Sequence, residues 1–119
     1  MTPGGGLLSA AAFENLFAAN GSEGIYVSAM SLVELAYLED KKRLEKSLVD
    51  RIFAVMSPEF GIHSVPIDER LASVVRTVPR ELVADPGDRI IVASARMLNL
   101  PLVTKDERIR ASGLVECIW

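Results

Sequence analysis

Three carboxylates lie where the sequence around them is apolar or where a strand has just ended. Glu34 stands inside an almost wholly apolar run, Asp88 directly precedes another, and Asp106 follows the segment LVT by two residues. Burying a lone charge is costly, so each of these acids needs a partner. With one histidine and one cysteine in the chain, a carboxylate cluster favours a hard cation such as Mg²⁺ or Mn²⁺. Such ions commonly serve phosphoryl chemistry.

Each acid also has a purely structural interpretation. Ser31 and Glu34 match a capping box, in which the glutamate would satisfy a backbone N–H. The segment DPGD offers Asp85 as an N-cap, a proline at the first helical position and Asp88 in the first turn. Asp106 could simply begin the turn after its strand. Spacing alone leaves the metal and the structural interpretations both open.

The elements that would position these acids alternate between helix and strand. Apolar spacing predicts helices at residues 10–20, 30–38, 41–56, 68–78, 89–98 and 106–110. Asp68 is the predicted N-cap of the fourth, and the helix at residues 89–98 is apolar on most faces, so it is expected to be packed from several sides. Short β-branched runs predict strands at residues 24–27, 64–67, 100–104 and 114–118. Such alternation predicts an α/β fold with a parallel sheet covered on both faces. Ligands bind such sheets at the carboxyl ends of the strands, which is where the acids fall.

Composition limits the protein's class. The chain has 119 residues, 50% hydrophobic and 24% charged, which predicts one globular domain over residues 1–119, with regular structure starting after residue 6. Thirteen basic against 16 acidic residues give a net charge of −3, so any nucleic-acid contact needs a local patch or bound metal. A lone cysteine suits a reducing compartment. Without a signal peptide or an apolar span, we expect a cytoplasmic protein with no membrane contact.

Other residues carry weaker signals. His63 is expected to be an ordinary surface or strand-start residue, and Cys117 a packed thiol. A basic cluster is expected to form a solvated helix face, with an RNA or partner contact as the alternative. Its members are Lys41, Lys42, Arg43 and Lys46.

Three blocks of sequence become specific when they are taken together. They are VSAMSLVEL at residues 27–35, DPGDRIIVASA at residues 85–95 and LPLVTKD at residues 100–106. In this order and spacing they resemble the PIN-domain family, and most closely the VapC-type toxins of prokaryotic toxin–antitoxin pairs. The segment IRASGL and the terminal Trp119 are similar too. The resemblance runs from about Leu8 to Trp119.

The resemblance implies a PIN-like three-layer α/β fold with a short parallel sheet flanked by helices. It also implies a metal-dependent endoribonuclease whose acids chelate Mg²⁺ or Mn²⁺ and activate water for attack on an RNA phosphodiester. Glu34, Asp88 and Asp106 match three of those acids, and Asp85 matches a further acid that is frequent in this branch. The implied partners are a cognate antitoxin that holds the toxin inactive, the RNA substrate and a second copy of the chain.

One departure from the family pattern concerns its first strand. Family members begin with a strand that ends in Asp-Thr, and this Asp is a central metal ligand. Nothing before Gly24 resembles that strand, and the first acid is Glu14. We therefore expect the middle strand of the sheet to be missing, either because the start of the chain is assigned too late or because this is a truncated, degenerate copy. Its loss would remove a ligand and leave unpaired edges on both of its neighbours. Two functions stay open: an RNA-cleaving toxin, or a truncated, catalytically impaired remnant that only binds antitoxin, RNA or another copy of itself.

Overall fold

The computed structural model describes residues 24–118. The predicted helix at residues 10–20, the start of the chain and Trp119 lie outside these residues. Within them the helices are α1 (Ala29–Asp40), α2 (Lys46–Ala54), a 3₁₀ helix (Pro58–Phe60), α3 (Glu69–Val75), α4 (Pro86–Leu98) and α5 (Glu107–Ser112). The strands are β1 (Ile25–Ser28), β2 (Ile62–Val65), β3 (Leu102–Val103) and β4 (Cys117–Ile118). No helix in this part of the chain is long and apolar enough to cross a membrane.

The strands pair in parallel, as the alternation of elements predicts. β1 pairs with β2, where Ile25 lies opposite Ile62, and β3 pairs with β4, where Leu102 lies opposite Cys117. The described residues thus form two separate two-stranded sheets rather than one continuous sheet. Among residues 24–118, β1 and β3 each have a partner on one edge alone. The residues before Gly24, where the family pattern has its first strand, lie outside the described residues.

Helix α4 is the centre of the larger apolar core. Four successive residues in its middle, from Val92 to Ala95, are buried, which confirms the prediction that this helix is packed from several sides. They pack with Leu71 of α3, Leu102 of β3 and Ile109 of α5. A smaller cluster lies under the β1–β2 sheet. Its members are Ile25, Val27 and Ile62, with Leu32 and Met56 packed against them.

Helix α1 differs from the prediction in length and burial. It extends to Asp40, and the following turn holds Lys42 at a positive φ of 60°. Because a left-handed residue ends an α-helix, the predicted helix at 41–56 starts only at Lys46. The sequence of α1 is apolar on almost all faces, which predicts that most of its side chains are buried. In the structure, Leu35 is the only buried residue of this helix, and Tyr37 is 59% exposed. Its N-cap is Ser28, so the capping box predicted from Ser31 is wrong.

The second strand lies earlier than predicted. It runs over Ile62–Val65 rather than residues 64–67, because Pro66 has no N–H to donate to a neighbouring strand. His63 is therefore inside the strand, where its ring stacks on Tyr26 of β1 with centroids 5.0 Å apart. Asp68 caps α3 as predicted, and its Oδ1 accepts the N–H of Leu71 at 2.9 Å.

Arg89 joins the start of α4 to the end of α3. Its Nη2 donates to the carbonyl oxygens of Val78 at 2.7 Å and Val75 at 3.3 Å. Val75 is the last residue of α3, and its carbonyl also accepts the N–H of Val78 at 3.0 Å, whereas Val78 lies three residues beyond the end of the helix.

We expect Arg89→Ala to lower the free energy of unfolding by about 2 kcal/mol, since hydrogen bonds from a charged donor contribute roughly 1.5–3 kcal/mol. Arg96→Ala is the matched control, because Arg96 lies on the same helix and makes one exposed 3.3 Å hydrogen bond to Leu114. Its loss should stay within about 0.5 kcal/mol. Urea unfolding measures both variants, and equal losses would contradict the assignment.

Candidate metal centre

The start of α4 places two acids on one helical turn. Asp85 is the N-cap, and its Oδ2 accepts the backbone N–H of Asp88 at 3.0 Å. Pro86 occupies the first helical position, as the sequence predicts, so the helix begins three residues before the predicted start at Arg89. Capping fixes Asp85 and Asp88 next to each other.

The start of α5 fixes a third acid. Asp106 is the N-cap of this helix, and its Oδ1 accepts the N–H of Ile109 at 3.0 Å. Its own N–H donates to Thr104 Oγ1 at 3.1 Å. Since Ile109 is 3% exposed and belongs to the core, the first turn of α5 is anchored. The capping bond uses Oδ1, which leaves Oδ2 of Asp106 for another partner.

Glu34 reaches the same region from α1. A Cβ built on Gly87 would lie 3.2 Å from Glu34 Oε2 and 3.2 Å from Asp85 Oδ2, so the missing side chain lets both carboxylates approach the first turn of α4. Ser94 Oγ lies 3.3 Å from Ser28 Oγ in a buried contact, which ties α4 to the N-terminus of α1. Sequence reasoning missed Gly87, although the glycine between two acids in DPGD was a visible signal.

A cleft opens beside these acids. Its volume is about 360 Å³, and it lies between the start of α4 and the start of α5. The described residues that line it are Val83, Ala84, Asp85, Asp88, Asp106, Glu107 and Arg108. Three of the four acids singled out from the sequence therefore line one cleft, while Glu34 lies against Gly87 at its α4 side.

The acids affect each other's ionisation. Burial, followed by the negative charges of Asp85 and Asp106, raises the pKa of Asp88 from 3.8 to about 6. Burial, followed by the charges of Asp88 and Asp85, also raises the pKa of Glu34 above its ordinary value. The charges that act on Asp88 thus come from the N-cap of its own helix, Asp85, and from the N-cap of α5, Asp106. A cluster of this kind stabilises a bound cation, because a cation relieves the repulsion.

Two comparisons with known proteins identify the family of the chain. A family model for the PIN domain matches residues 8–113. The chain belongs to the PIN-domain family. It is also 31% identical over 90 residues to the ribonuclease VapC22 of Mycobacterium tuberculosis, an alignment that covers 76% of this chain and 68% of that protein. The chain is therefore a VapC-type member of a ribonuclease toxin family, and the resemblance inferred from the three sequence blocks is confirmed.

The donor set of this PIN domain suits a hard divalent cation. All of the clustered donors are carboxylate oxygens, which Mg²⁺ and Mn²⁺ prefer. Within residues 24–118, however, no group of three or more histidine, cysteine or acidic side chains converges closely enough to hold a metal ion as it stands. Mg²⁺ tolerates such a site, because it keeps several waters and is often bound by one or two carboxylates together with substrate phosphates.

The other residues singled out from the sequence are not among the described residues that line the cleft. Lys41, Lys42 and Arg43 are exposed on the turn after α1, and Lys46 pairs with Asp50 at 2.8 Å. Cys117 packs against the larger core, and burial raises the pKa of its thiol. His63 stacks on Tyr26 in the β1–β2 sheet.

Two substitutions at Asp85 should separate its cap from its charge. Asp85→Asn keeps a good N-cap and removes one carboxylate, so we expect unchanged stability and a lower pKa for Asp88. Asp85→Ala should lower that pKa as well and lose about 1 kcal/mol of stability with the cap. NMR titration of the Asp88 carboxyl carbon and urea unfolding measure the two effects. An Asp88 titration that neither variant moves would contradict the coupling.

Proposed function

We propose that this chain is a divalent-metal-dependent endoribonuclease in which Glu34, Asp88 and Asp106 hold Mg²⁺ or Mn²⁺, with Asp85 beside them. One observation carries the proposal: Asp85, Asp88 and Asp106 line one cleft, and Glu34 lies against Gly87 at its α4 side. Burial and the neighbouring acids raise the pKa of Asp88, and burial followed by the charge of Asp88 raises that of Glu34. Membership of the PIN-domain family supports the same chemistry.

Each acidic residue has a role that follows from its position in the cleft. Asp88 lies at the electrostatic centre of the acidic cluster. It must be ionised to hold a cation, although burial and its acidic neighbours disfavour the ionised form. Asp85 fixes the backbone of Asp88 through the N-cap bond. Asp106 lines the cleft from the start of α5, and its capping bond uses only Oδ1. When bound, the cation would offset the phosphodiester's charge and supply an activated water for hydrolysis.

RNA cleavage by the wild type and one pair of variants tests the proposal. We expect cleavage in Mg²⁺ or Mn²⁺, none in excess EDTA, and at least about a hundredfold loss in Glu34→Gln, since even groups that merely orient metal ligands contribute 10–100-fold. Glu39→Gln is the matched control, because it makes the same chemical change on the same helix. Cleavage that survives EDTA, or equal rates in both variants, would contradict the proposal.

The second candidate is a chain that binds without cutting. It is favoured by the finding that no three potential ligands within residues 24–118 are assembled to hold a metal. Catalysis requires tight placement, and about 1 Å of misplacement can cost on the order of a hundredfold. A wild type that binds RNA and Mn²⁺ but does not cleave RNA would select this candidate.

We further propose that the chain is cytoplasmic, self-associates and is held inactive by a cognate antitoxin. Exposed apolar side chains on two helices that contact each other support a protein partner. They are Val33 and Tyr37 on α1 and Phe53 on α2, each between 38% and 59% exposed.

We expect Tyr37→Ser with Phe53→Ser to weaken self-association at least tenfold, because burying two aromatic side chains contributes several kcal/mol to an interface. Sedimentation equilibrium measures the change, and the exposed polar change Lys41→Ser is the control. A wild type that stays monomeric at high micromolar concentration would contradict self-association.

A further inference from the structure

The acidic cleft has one basic residue among its described lining. Four carboxylates line it, from Asp85, Asp88, Asp106 and Glu107, and Arg108 adds the single positive side chain. The cleft's own residues would repel an RNA phosphodiester, because the negative charges outnumber the positive one. A cation between the acids changes this balance on the α4 side. Arg108 supplies fixed positive charge on the α5 side.

The backbone of Arg108 is fixed by its helix, whereas its guanidinium has no hydrogen-bond or ion-pair partner within residues 24–118. It is the second residue of α5, between the capping Asp106 and the buried Ile109. Within residues 24–118, Arg108 forms no ion pair with any of the four carboxylates of its own cleft. Neither does any hydrogen bond in that part of the chain engage its side chain. An exposed arginine whose backbone is fixed and whose guanidinium is unpaired is available to an incoming anion.

The chemistry of guanidinium identifies the anion. Its planar array of N–H donors matches the two non-bridging oxygens of a phosphate and binds them as a pair. We propose that Arg108 binds a backbone phosphate of single-stranded RNA and so orients the strand across the acids. This inference rests on the proposed ribonuclease function. Phosphate contacts position a nucleic acid without reading its sequence, so Arg108 should act alike on RNAs of different sequence.

Arg108→Gln has two opposite expected effects. RNA cleavage should show a KM at least tenfold higher with a smaller change in kcat, and the salt dependence of kcat/KM should weaken by about one phosphate contact, or roughly 0.7 in log–log slope. The affinity for Mn²⁺ without RNA, measured by electron paramagnetic resonance, should stay equal or rise, because a positive charge near the acids is gone. A merely structural arginine would weaken both.

Three further variants sharpen the experiment. Arg110→Gln removes the same charge from the same helix at a residue outside the cleft lining, and should leave KM unchanged. Arg108→Lys keeps the positive charge but lacks the paired donors. It should therefore have the salt slope of the wild type and a KM between those of the wild type and Arg108→Gln. Glu107→Gln removes a cleft carboxylate, and should lower KM while weakening Mn²⁺ binding.

Each outcome decides the assignment. Equal KM values for Arg108→Gln and Arg110→Gln, or a parallel loss of RNA and Mn²⁺ affinity in Arg108→Gln, would overturn it. If the wild type does not cleave RNA, the ribonuclease proposal fails on its own. The Arg108 assignment is then decided by fluorescence anisotropy of the same uncut RNA in Mn²⁺, with weaker binding expected for Arg108→Gln and unchanged binding for Arg110→Gln.

Discussion

Asp88→Asn should abolish metal-dependent RNA cleavage and at the same time make the metal-free protein more stable near neutral pH. The loss of activity should be at least about a hundredfold, because the variant removes the acid at the electrostatic centre of the cluster. The gain in stability has the opposite sign because the same carboxylate is half-buried beside two other acids. A single substitution would thus separate what the site does for catalysis from what it does for folding.

The pH dependence of this gain follows from the direction of the pKa shift. Folding raises the pKa of Asp88 from 3.8 to about 6, so the folded state binds more protons than the unfolded state between these values. Stability of the wild type therefore falls as the pH rises through that window and stays lower above it. Since the carboxyl is about half-exposed, solvent screening reduces the expected effect to about 1 kcal/mol. Asparagine does not titrate, so the advantage of Asp88→Asn should be small near pH 4 and largest above pH 6.

Urea unfolding in EDTA at about pH 4 and about pH 7.5 measures this dependence. Asp50→Asn is the control, because it removes an exposed carboxylate that pairs with Lys46 far from the cleft lining. Added Mn²⁺ should stabilise the wild type and not Asp88→Asn, since a ligand stabilises the state that binds it. A variant that is less stable than the wild type at neutral pH, or that cleaves RNA at the wild-type rate, would refute the central role of Asp88.

Local chemistry made two of the N-caps of this protein predictable. Asp68 and Asp85 cap their helices as expected, because an N-cap depends on a side-chain oxygen and an N–H two or three residues away. The burial of the middle of α4 was predicted from an apolar run on most of its faces, whereas the same kind of run in α1 did not lead to burial. Both inferences need only a few neighbouring residues, which a sequence displays directly.

Contacts between distant segments were not predictable in the same way. The exposure of Tyr37 depends on how much of α1 other elements cover, and the stacking of His63 on Tyr26 depends on the register of β1 against β2. The approach of Glu34 to Gly87 joins residues on two helices far apart in the chain. For the acids, position in the sequence singled out Glu34, Asp88 and Asp106 but left their structural interpretation open, and the family resemblance favoured a common site.

Gly24→Ala should destabilise the protein by about 3 kcal/mol. Gly24 has a φ of +92°, a conformation that costs an L-residue roughly 1–2 kcal/mol. In addition, a Cβ at this position would collide with the backbone carbonyl of Gly61. That same carbonyl accepts the N–H of Ile25 at 2.7 Å where β1 meets β2. Because the obstacle is backbone, relief would require the two strands to move apart.

Gly113→Ala separates the two causes of this loss. Gly113 also has a positive φ, +71°, but no heavy atom lies within 4 Å of its ideal Cβ. This variant should therefore lose only the conformational cost, about 1 kcal/mol, and the remaining difference of about 2 kcal/mol measures the collision at β1. Urea unfolding compares the two variants, and equal losses would show that β1 shifts freely. Because β1 leads through Ser28 directly into α1 and Glu34, a shifted β1 should also weaken Mn²⁺ binding in Gly24→Ala, whereas Gly113→Ala should bind Mn²⁺ like the wild type.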